Sequence, residues 1–176
     1  MTAIRVAIET AEGDFEVEVY PGRAPLSAAN FLAYVDGGHL DGTSVYRIPT
    51  PDNEAAKPVK IAVIQFGLTP DESARAKLFP PVPHEPTGRT GITHLRGTLS
   101  AARFELGTGG YAFFVTMRDE PELDEGGRRH PDGHGFAAFG RVVAGWDALD
   151  RIYAHAGPRD FTDRPVPVLR ARRIEG

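Results

Sequence analysis

Apolar and polar residues alternate with a period of two along most of the chain. Because successive side chains of a β-strand point to opposite faces, this period predicts strands with one buried face. Seven or eight such strands are predicted, within the segments 4–9, 15–20, 43–48, 60–67, 97–117, 136–143 and 166–174. The first two flank the turn residues Glu12-Gly13-Asp14 and are expected to form an antiparallel hairpin. Segment 60–67 is apolar on nearly both faces, which is typical of a central strand.

A helical period replaces this alternation in two places. Between Pro25 and Asp36 apolar residues recur at i, i+3, i+4 and i+7, which predicts a helix over 25–36. A second helical stripe lies between Gly145 and Pro158. The Pro-rich segment 49–58 is expected to be a loop, and 68–91 is expected to be a long surface excursion with at most a short helical turn.

Many strands with only two helices argue against a parallel α/β sheet, which needs a helix between most of its strands. An antiparallel barrel or sandwich remains, and two helices far apart in sequence could close the ends of a barrel. The chain has no internal repeat and no interdomain linker. We therefore expect a mainly β fold and a single domain over 1–176.

Composition excludes several classes of function. The net charge of -4 and pI near 5.9 argue against a general affinity for nucleic acid, and the basic segment 170–173 alternates like a solvated strand face. No apolar run of about 18 residues predicts a membrane span, and the N-terminal segment alternates like a strand rather than a signal peptide, so we expect a cytoplasmic location. The absence of cysteine excludes a disulfide framework and a thiolate nucleophile.

Short catalytic motifs are also missing, since the chain contains no Gly-x-Ser-x-Gly elbow, P-loop or dinucleotide fingerprint. The most metal-like segment is His130-Pro-Asp-Gly-His134, whose two imidazoles and one carboxylate are ordinary zinc ligands. Pro131 and Gly133 give it a loop backbone without fixed spacing. A solvated turn is the alternative, and we predict no bound metal.

Two adjacent phenylalanines mark the most informative stretch, residues 97–117. Phe113 and Phe114 must point to opposite faces of a strand, so a core on one side of the sheet can contain only one of the two rings. The other is covered by a further element or forms the floor of a pocket open to an apolar ligand.

Two polar residues interrupt apolar strands nearby. The alternation places Arg47 on the face of Val45, and Gln65 stands between two apolar neighbours. If both meet Phe114, an apolar floor with two donors would suit an amide ligand. The alternatives are an ion pair for Arg47 and a satisfied cross-strand hydrogen bond for Gln65, and the pattern leaves both open.

The order of six short motifs resembles the cyclophilin-type peptidyl-prolyl cis-trans isomerases. The motifs are VYR at 45–47, IQFG at 64–67, GTLSAA at 97–102, FFVT at 113–116, LD at 123–124 and FGRVV at 139–143. The resemblance runs from about Ile4 to the end of the chain, and the loop before Phe136 is similar to a bacterial branch of the family.

This resemblance implies a closed eight-stranded antiparallel barrel with a helix over each end. It implies rotation about Xaa-Pro bonds, in aid of protein folding, by a monomer that acts on proline-containing peptides or unfolded chains without a cofactor. The residues at the family's functional positions are Arg47 (catalytic), Gln65 (orienting the substrate), Phe114, Leu123 and Val63 (proline pocket), Ala102 and Arg103 (the strand beside the peptide), and Phe136 (where many members carry a pocket histidine).

The chain departs from the family at several of these positions. Ala62, Ala112, Glu122 and Arg103 replace the usual aromatic, glutamine, tryptophan and asparagine, and the segment between β-strand motifs VYR and IQFG is longer than usual. A catalytically weak proline-peptide binder or folding helper is therefore the alternative function. A barrel that carries an apolar small molecule is a third hypothesis, and it requires a hollow interior.

Overall fold

The alternating segments form eight strands that close into one antiparallel barrel, in a computed structural model that describes residues 2–175. Residues 1 and 176, the ends of the expected domain, lie outside the described part. The strands are β1 (Ile4–Thr10), β2 (Gly13–Val19), β3 (Ser44–Arg47), β4 (Val63–Gly67), β5 (Thr98–Ala101), β6 (Ala112–Thr116), β7 (Ala137–Ala144) and β8 (Phe161–Ile174). Their order around the barrel is β1-β2-β7-β5-β6-β4-β3-β8. Closure pairs every strand on both sides, which confirms the predicted fold class.

Both predicted helices pack on the barrel. The helices are α1 (Pro25–Asp36), α2 (Pro70–Ala76), α3 (Thr87–Thr90) and α4 (Trp146–Tyr153). Phe31 of α1 and Leu149 and Ile152 of α4 are buried in the barrel core. Two further short helices lie in the segment 68–91, where at most a short helical turn was expected. α2 has no buried residue and α3 has only four residues, so neither produces an apolar stripe in the sequence.

Two strand starts differ from the prediction by three residues or more. β4 begins at Val63 rather than at residue 60, since the backbone N–H of Ala62 donates to the buried carboxylate of Glu120. β8 begins at Phe161, where it pairs with Arg47, although the prediction began it at 166. Most side chains at 161–165 are exposed, so this part of β8 lacks the apolar alternation that marks a strand in sequence.

Large side chains fill the barrel interior. Phe15, Phe66, Phe113 and Phe139 are fully buried there, and the rings of Phe31 and Phe113 meet edge to face with centroids 4.9 Å apart. Aromatic pairs prefer this arrangement, and close packing leaves few voids. An interior filled in this way does not fit the hollow barrel that the small-molecule carrier requires.

A β-bulge in β3 decides which side chains leave the core. Val45 lies opposite Phe66 and Arg47 lies opposite the next residue, Gln65, so Tyr46 is the extra residue of the strand. Val45 is therefore in the core, whereas Tyr46 and Arg47 both face outward. The expectation that Val45 and Arg47 share a face was wrong, because one inserted residue reverses the alternation after it.

Candidate active site

A groove of about 350 Å³ lies on the outer face of β3, β4 and β6, opposite the filled interior. The register of β4 and β6 places Gln65 directly beside Phe114, and the bulge of β3 turns Arg47 toward the same face. All eight residues at the family's functional positions line this groove: Arg47, Val63, Gln65, Ala102, Arg103, Phe114, Leu123 and Phe136. The sequence positions, which span about half the chain, are thus brought together by barrel closure.

Apolar side chains form a cup at the bottom of the groove. Val63, Phe114 and Leu123 are buried together in a cluster separate from the barrel core, and Phe136 packs against it. The ring of Phe136 stands edge to face on Phe114, with centroids 5.8 Å apart. Phe113 points into the barrel core on the other face, as the alternation predicted.

A buried hydrogen-bonded chain supports this floor from below. The His94 ring stacks on Phe114 at 5.9 Å, its Nδ1 lies 2.7 Å from Asp124 Oδ1, and its Nε2 lies 2.9 Å from Ser100 Oγ. The order resembles a serine, base and acid triad, but Ser100 and His94 are buried under the phenylalanine and offer no nucleophile to the groove. The sequence pattern gives no sign of this chain, because the partners of His94 lie 6 and 30 residues away.

Arg47 is held by three acceptors on different sides of its guanidinium. Nε donates to Asp160 Oδ2 at 2.8 Å, Nη1 to Gln65 Oε1 at 3.0 Å, and Nη2 to Glu54 Oε2 at 3.1 Å. An arginine carries five N–H donors, so two remain for a ligand. The ion pair considered for Arg47 in the sequence therefore exists, and the side chain still lines the groove.

Gln65 links Arg47 to the bulge residue. Its Nε2 donates to the Tyr46 hydroxyl at 2.9 Å, and that hydroxyl donates to the carbonyl of Leu68 at 3.1 Å. Burial raises the pKa of Tyr46 to about 12, although the hydrogen bond from Gln65 opposes the shift. The hydroxyl therefore remains protonated at neutral pH and keeps both contacts.

The guanidinium of Arg103 is directed at the wall of the groove. It donates to both oxygens of Asp132 at 2.9 Å and twice to the carbonyl of Gly135, and it covers the ring of Phe136 at 5.1 Å. These contacts fasten the loop 130–135 beside the cup. Within residues 2–175 no three His, Cys, Asp or Glu side chains are placed to hold a metal ion. In the segment 130–134 that resembled a metal site, the carboxylate instead binds arginine.

Replacement of Asp132 by asparagine is expected to reduce the loss of stability in acid. Hydrogen bonding from Arg103 holds the pKa of Asp132 well below its ordinary value of 3.8. As the pH falls below that ordinary value, the unfolded chain takes up a proton before the folded chain does, so wild-type stability declines. Above it the contribution is complete.

Urea unfolding at about pH 6 and about pH 3 measures this difference. The free energy of unfolding should fall more for wild type than for Asp132→Asn. Asp163→Asn, which removes a largely exposed carboxylate, is the control. Equal losses for wild type and Asp132→Asn would contradict the assignment of the ion pair.

Several residues that line the groove or bind Arg47 were missed by sequence reasoning. Glu54 lies in the segment assigned as a loop, and Asp160 precedes the predicted start of the last strand. Phe161 also lines the groove, 54% exposed, with its ring stacked on Tyr46 and 5.9 Å from the Arg47 guanidinium. Among these four residues, only Tyr46 had a signal in the sequence, because it stands next to Arg47 in the VYR motif.

The substituted family positions have different surroundings. Ala112 is buried and lines the groove, where its methyl group leaves more space than a glutamine would. Ala62 and Glu122 are not among the lining residues, and Glu122 forms an ion pair with Arg128. Of the four substituted positions, Ala112 and Arg103 therefore line the groove, and Ala62 and Glu122 do not.

Comparisons with known proteins show the family of the chain. The family model described as cyclophilin type peptidyl-prolyl cis-trans isomerase/CLD matches residues 5–174. Peptidyl-prolyl cis-trans isomerase A of Dickeya dadantii is 29% identical over 99% of this chain and 86% of its own length. Peptidyl-prolyl cis-trans isomerase cyp18 of Streptomyces antibioticus is 31% identical over 97% of this chain and 98% of its own.

Solved structures show the same fold. A cyclophilin type peptidyl-prolyl cis-trans isomerase of Cryptosporidium parvum superposes with a TM-score of 0.77 at 18% identity, covering 99% of each chain. The closed eight-stranded antiparallel barrel is thus a cyclophilin fold. The chain belongs to the cyclophilin-type peptidyl-prolyl cis-trans isomerase family. In the described part of the chain, no helix is long and apolar enough to cross a membrane.

Proposed function

We propose that the chain accelerates cis-trans isomerisation of Xaa-Pro bonds in proline-containing peptides or unfolded protein chains, with the groove as its active site. The single observation that carries the proposal is the convergence of Arg47, Gln65 and Phe114 on one groove. A structure of the Cryptosporidium parvum relative was determined in the presence of the dipeptide Ala-Pro, which supports a proline-containing ligand for the shared fold.

The reaction is rotation about a bond and needs no covalent contact with the enzyme. Amide resonance sets a barrier of roughly 18–20 kcal/mol, and both isomers of an Xaa-Pro bond are populated. In the twisted state the prolyl nitrogen loses conjugation and becomes a hydrogen-bond acceptor. A donor aimed at that nitrogen stabilises the twisted state and not the planar one, as catalysis requires.

Each group in the groove has a proposed part in this step. One of the two remaining N–H donors of Arg47 binds the prolyl nitrogen, and the cup of Phe114, Leu123 and Val63 holds the proline ring. Phe136 closes the cup. Gln65 orients Arg47 and a carbonyl of the peptide. One charged hydrogen bond in a desolvated site can supply several decades of rate, at about 1.4 kcal/mol per decade.

Ala102 and Arg103 have the remaining proposed role, as the strand beside which the peptide lies. Backbone groups of Ala102 and its neighbours suit this, since the Arg103 guanidinium is already occupied by Asp132 and Gly135. The proposal includes a single domain that acts as a monomer in the cytoplasm, without nucleic acid, metal or cofactor. Sedimentation and cell fractionation test the oligomeric state and the location.

The substituted position Ala112 favours a second candidate, a proline-peptide binder with little turnover, because it lines the groove without the usual amide. Exchange spectroscopy on a short Xaa-Pro peptide separates the two. With catalytic amounts of the chain, we expect cis-trans exchange to become faster than the uncatalysed process, which takes about tens of seconds. Saturable binding without faster exchange would establish the binder and overturn the enzyme.

A further inference from the structure

A buried carboxylate from the long segment between β3 and β4 stands against the groove arginine. The Glu54 side chain is only 2% exposed. Its Oε2 accepts from Arg47 Nη2 at 3.1 Å, and its two oxygens accept from Arg129 at 2.8 and 2.7 Å. Arg129 also donates to the carbonyl of Val59, so the segment, its carboxylate and both arginines form one connected unit.

A second carboxylate binds Arg47 from the opposite side. Asp160 accepts from Arg47 Nε at 2.8 Å, and its backbone carbonyl accepts from the N–H of Ile48 at 2.7 Å. Together with Gln65 on Nη1, the two carboxylates occupy one donor on each nitrogen of the guanidinium. A planar guanidinium group that donates a hydrogen bond from each of its three nitrogens has a fixed orientation.

We propose that Glu54 is a positioning residue for the isomerisation, and that Glu54 and Asp160 form a carboxylate clamp that aligns Arg47 with the prolyl nitrogen. The clamp rests on the proposed function, since it acts only through Arg47. Glu54 itself is covered by the two arginines and is not among the residues that line the groove.

Two effects of the clamp oppose each other. Two carboxylates reduce the positive potential of Arg47, which weakens its attraction for the prolyl lone pair. They also remove the rotational freedom of the Arg47 side chain before the substrate binds. No further conformational entropy of this side chain is then lost when the transition state forms. Arg129 offsets the charge of Glu54, because the two arginines and two carboxylates sum to zero. The geometric effect therefore prevails, and Glu54 accelerates the reaction.

Replacement of Glu54 by glutamine tests the clamp, because glutamine keeps the volume and one acceptor oxygen but not the bidentate charge. Exchange spectroscopy over a peptide titration gives the exchange rate of the bound peptide and its Kd separately. We expect the bound-state rate to fall about tenfold, whereas the Kd stays within about twofold because the cup is unchanged.

Glu85→Gln is the matched control. Glu85 is a fully buried carboxylate that accepts hydrogen bonds from Leu26 and Ser27 at the start of α1, and neither of these partners lines the groove. It reports what the loss of a buried charge does to the fold alone. Its bound-state exchange rate is expected to match that of wild type.

A double-mutant cycle distinguishes positioning from a structural tether. If Glu54 acts through Arg47, then Glu54→Gln has no further effect on the bound-state rate in the Arg47→Ala background. An unchanged or faster rate in Glu54→Gln alone, or an equal loss in both backgrounds, would overturn the clamp. A wild-type rate in Arg47→Ala would instead overturn the proposed role of Arg47, and with it the clamp.

Asp160→Asn provides the same test if Glu54→Gln does not fold. The Asp160 side chain is 29% exposed, so its loss should disturb the fold little. We expect the bound-state rate to fall by about threefold and this loss to vanish in the Arg47→Ala background. A rate equal to wild type, or the same loss without Arg47, would overturn the clamp.

Discussion

Replacement of Arg47 by alanine is expected to lower the isomerisation rate on a short Xaa-Pro peptide by about a hundredfold, since removal of one preorganised donor from other active sites costs about 10²–10³ in rate. The barrel should remain folded, because Arg47 lies outside the core and its partners Glu54 and Asp160 keep other contacts or solvent. Exchange spectroscopy measures the rate, and urea unfolding checks that the fold is retained.

Two further variants sharpen this result. Arg47→Lys keeps the charge, but an ammonium group lacks the planar arrangement of donors that binds Glu54, Asp160 and Gln65 together. Most of the rate loss should therefore persist. Arg172→Ala, which removes an exposed arginine paired with Glu9 on the barrel surface, should leave the rate unchanged. A wild-type rate in Arg47→Ala would refute its role as the catalytic donor.

Replacement of the two adjacent phenylalanines by alanine should change different properties, the stability at Phe113 and the peptide affinity at Phe114. Phe113→Ala empties part of the barrel core, where the ring contacts Phe31 and Phe139, and should cost about 3–5 kcal/mol of stability. Phe114→Ala removes the floor of the cup and should raise the Kd of a proline peptide more than about tenfold, because the proline ring of the peptide loses an apolar contact surface.

Urea unfolding and peptide titration of both variants, each at a temperature where the variant is folded, give the two quantities. The Kd of Phe113→Ala should stay close to that of wild type. Each phenylalanine is thus the matched control of the other, with the same substitution at adjacent positions. Equal rises in Kd for the two variants would refute the assignment of separate faces.

Local pattern was sufficient for the elements with one clean period. α1 spans the predicted residues 25–36, and the β1–β2 hairpin forms as expected, although its turn is Ala11-Glu12 and the predicted turn residues Gly13 and Asp14 already pair with β1. The first part of β8 was missed, since its residues are mostly exposed and gain strand structure from pairing with β3. Boundaries set by pairing between distant segments leave little trace in the sequence.

In the candidate site, too, some features follow from the local sequence and others from the tertiary structure. The sequence determined that Phe113 and Phe114 take opposite faces, because alternation is a property of any strand, and motif order indicated the family. Only the tertiary structure decided that Arg47 leaves the face of Val45, since a bulge is a misfit between two strands. It also decided that Glu54 and Asp160, 7 and 113 residues from Arg47, meet its guanidinium, because contacts across a closed barrel depend on the folded path of the whole chain.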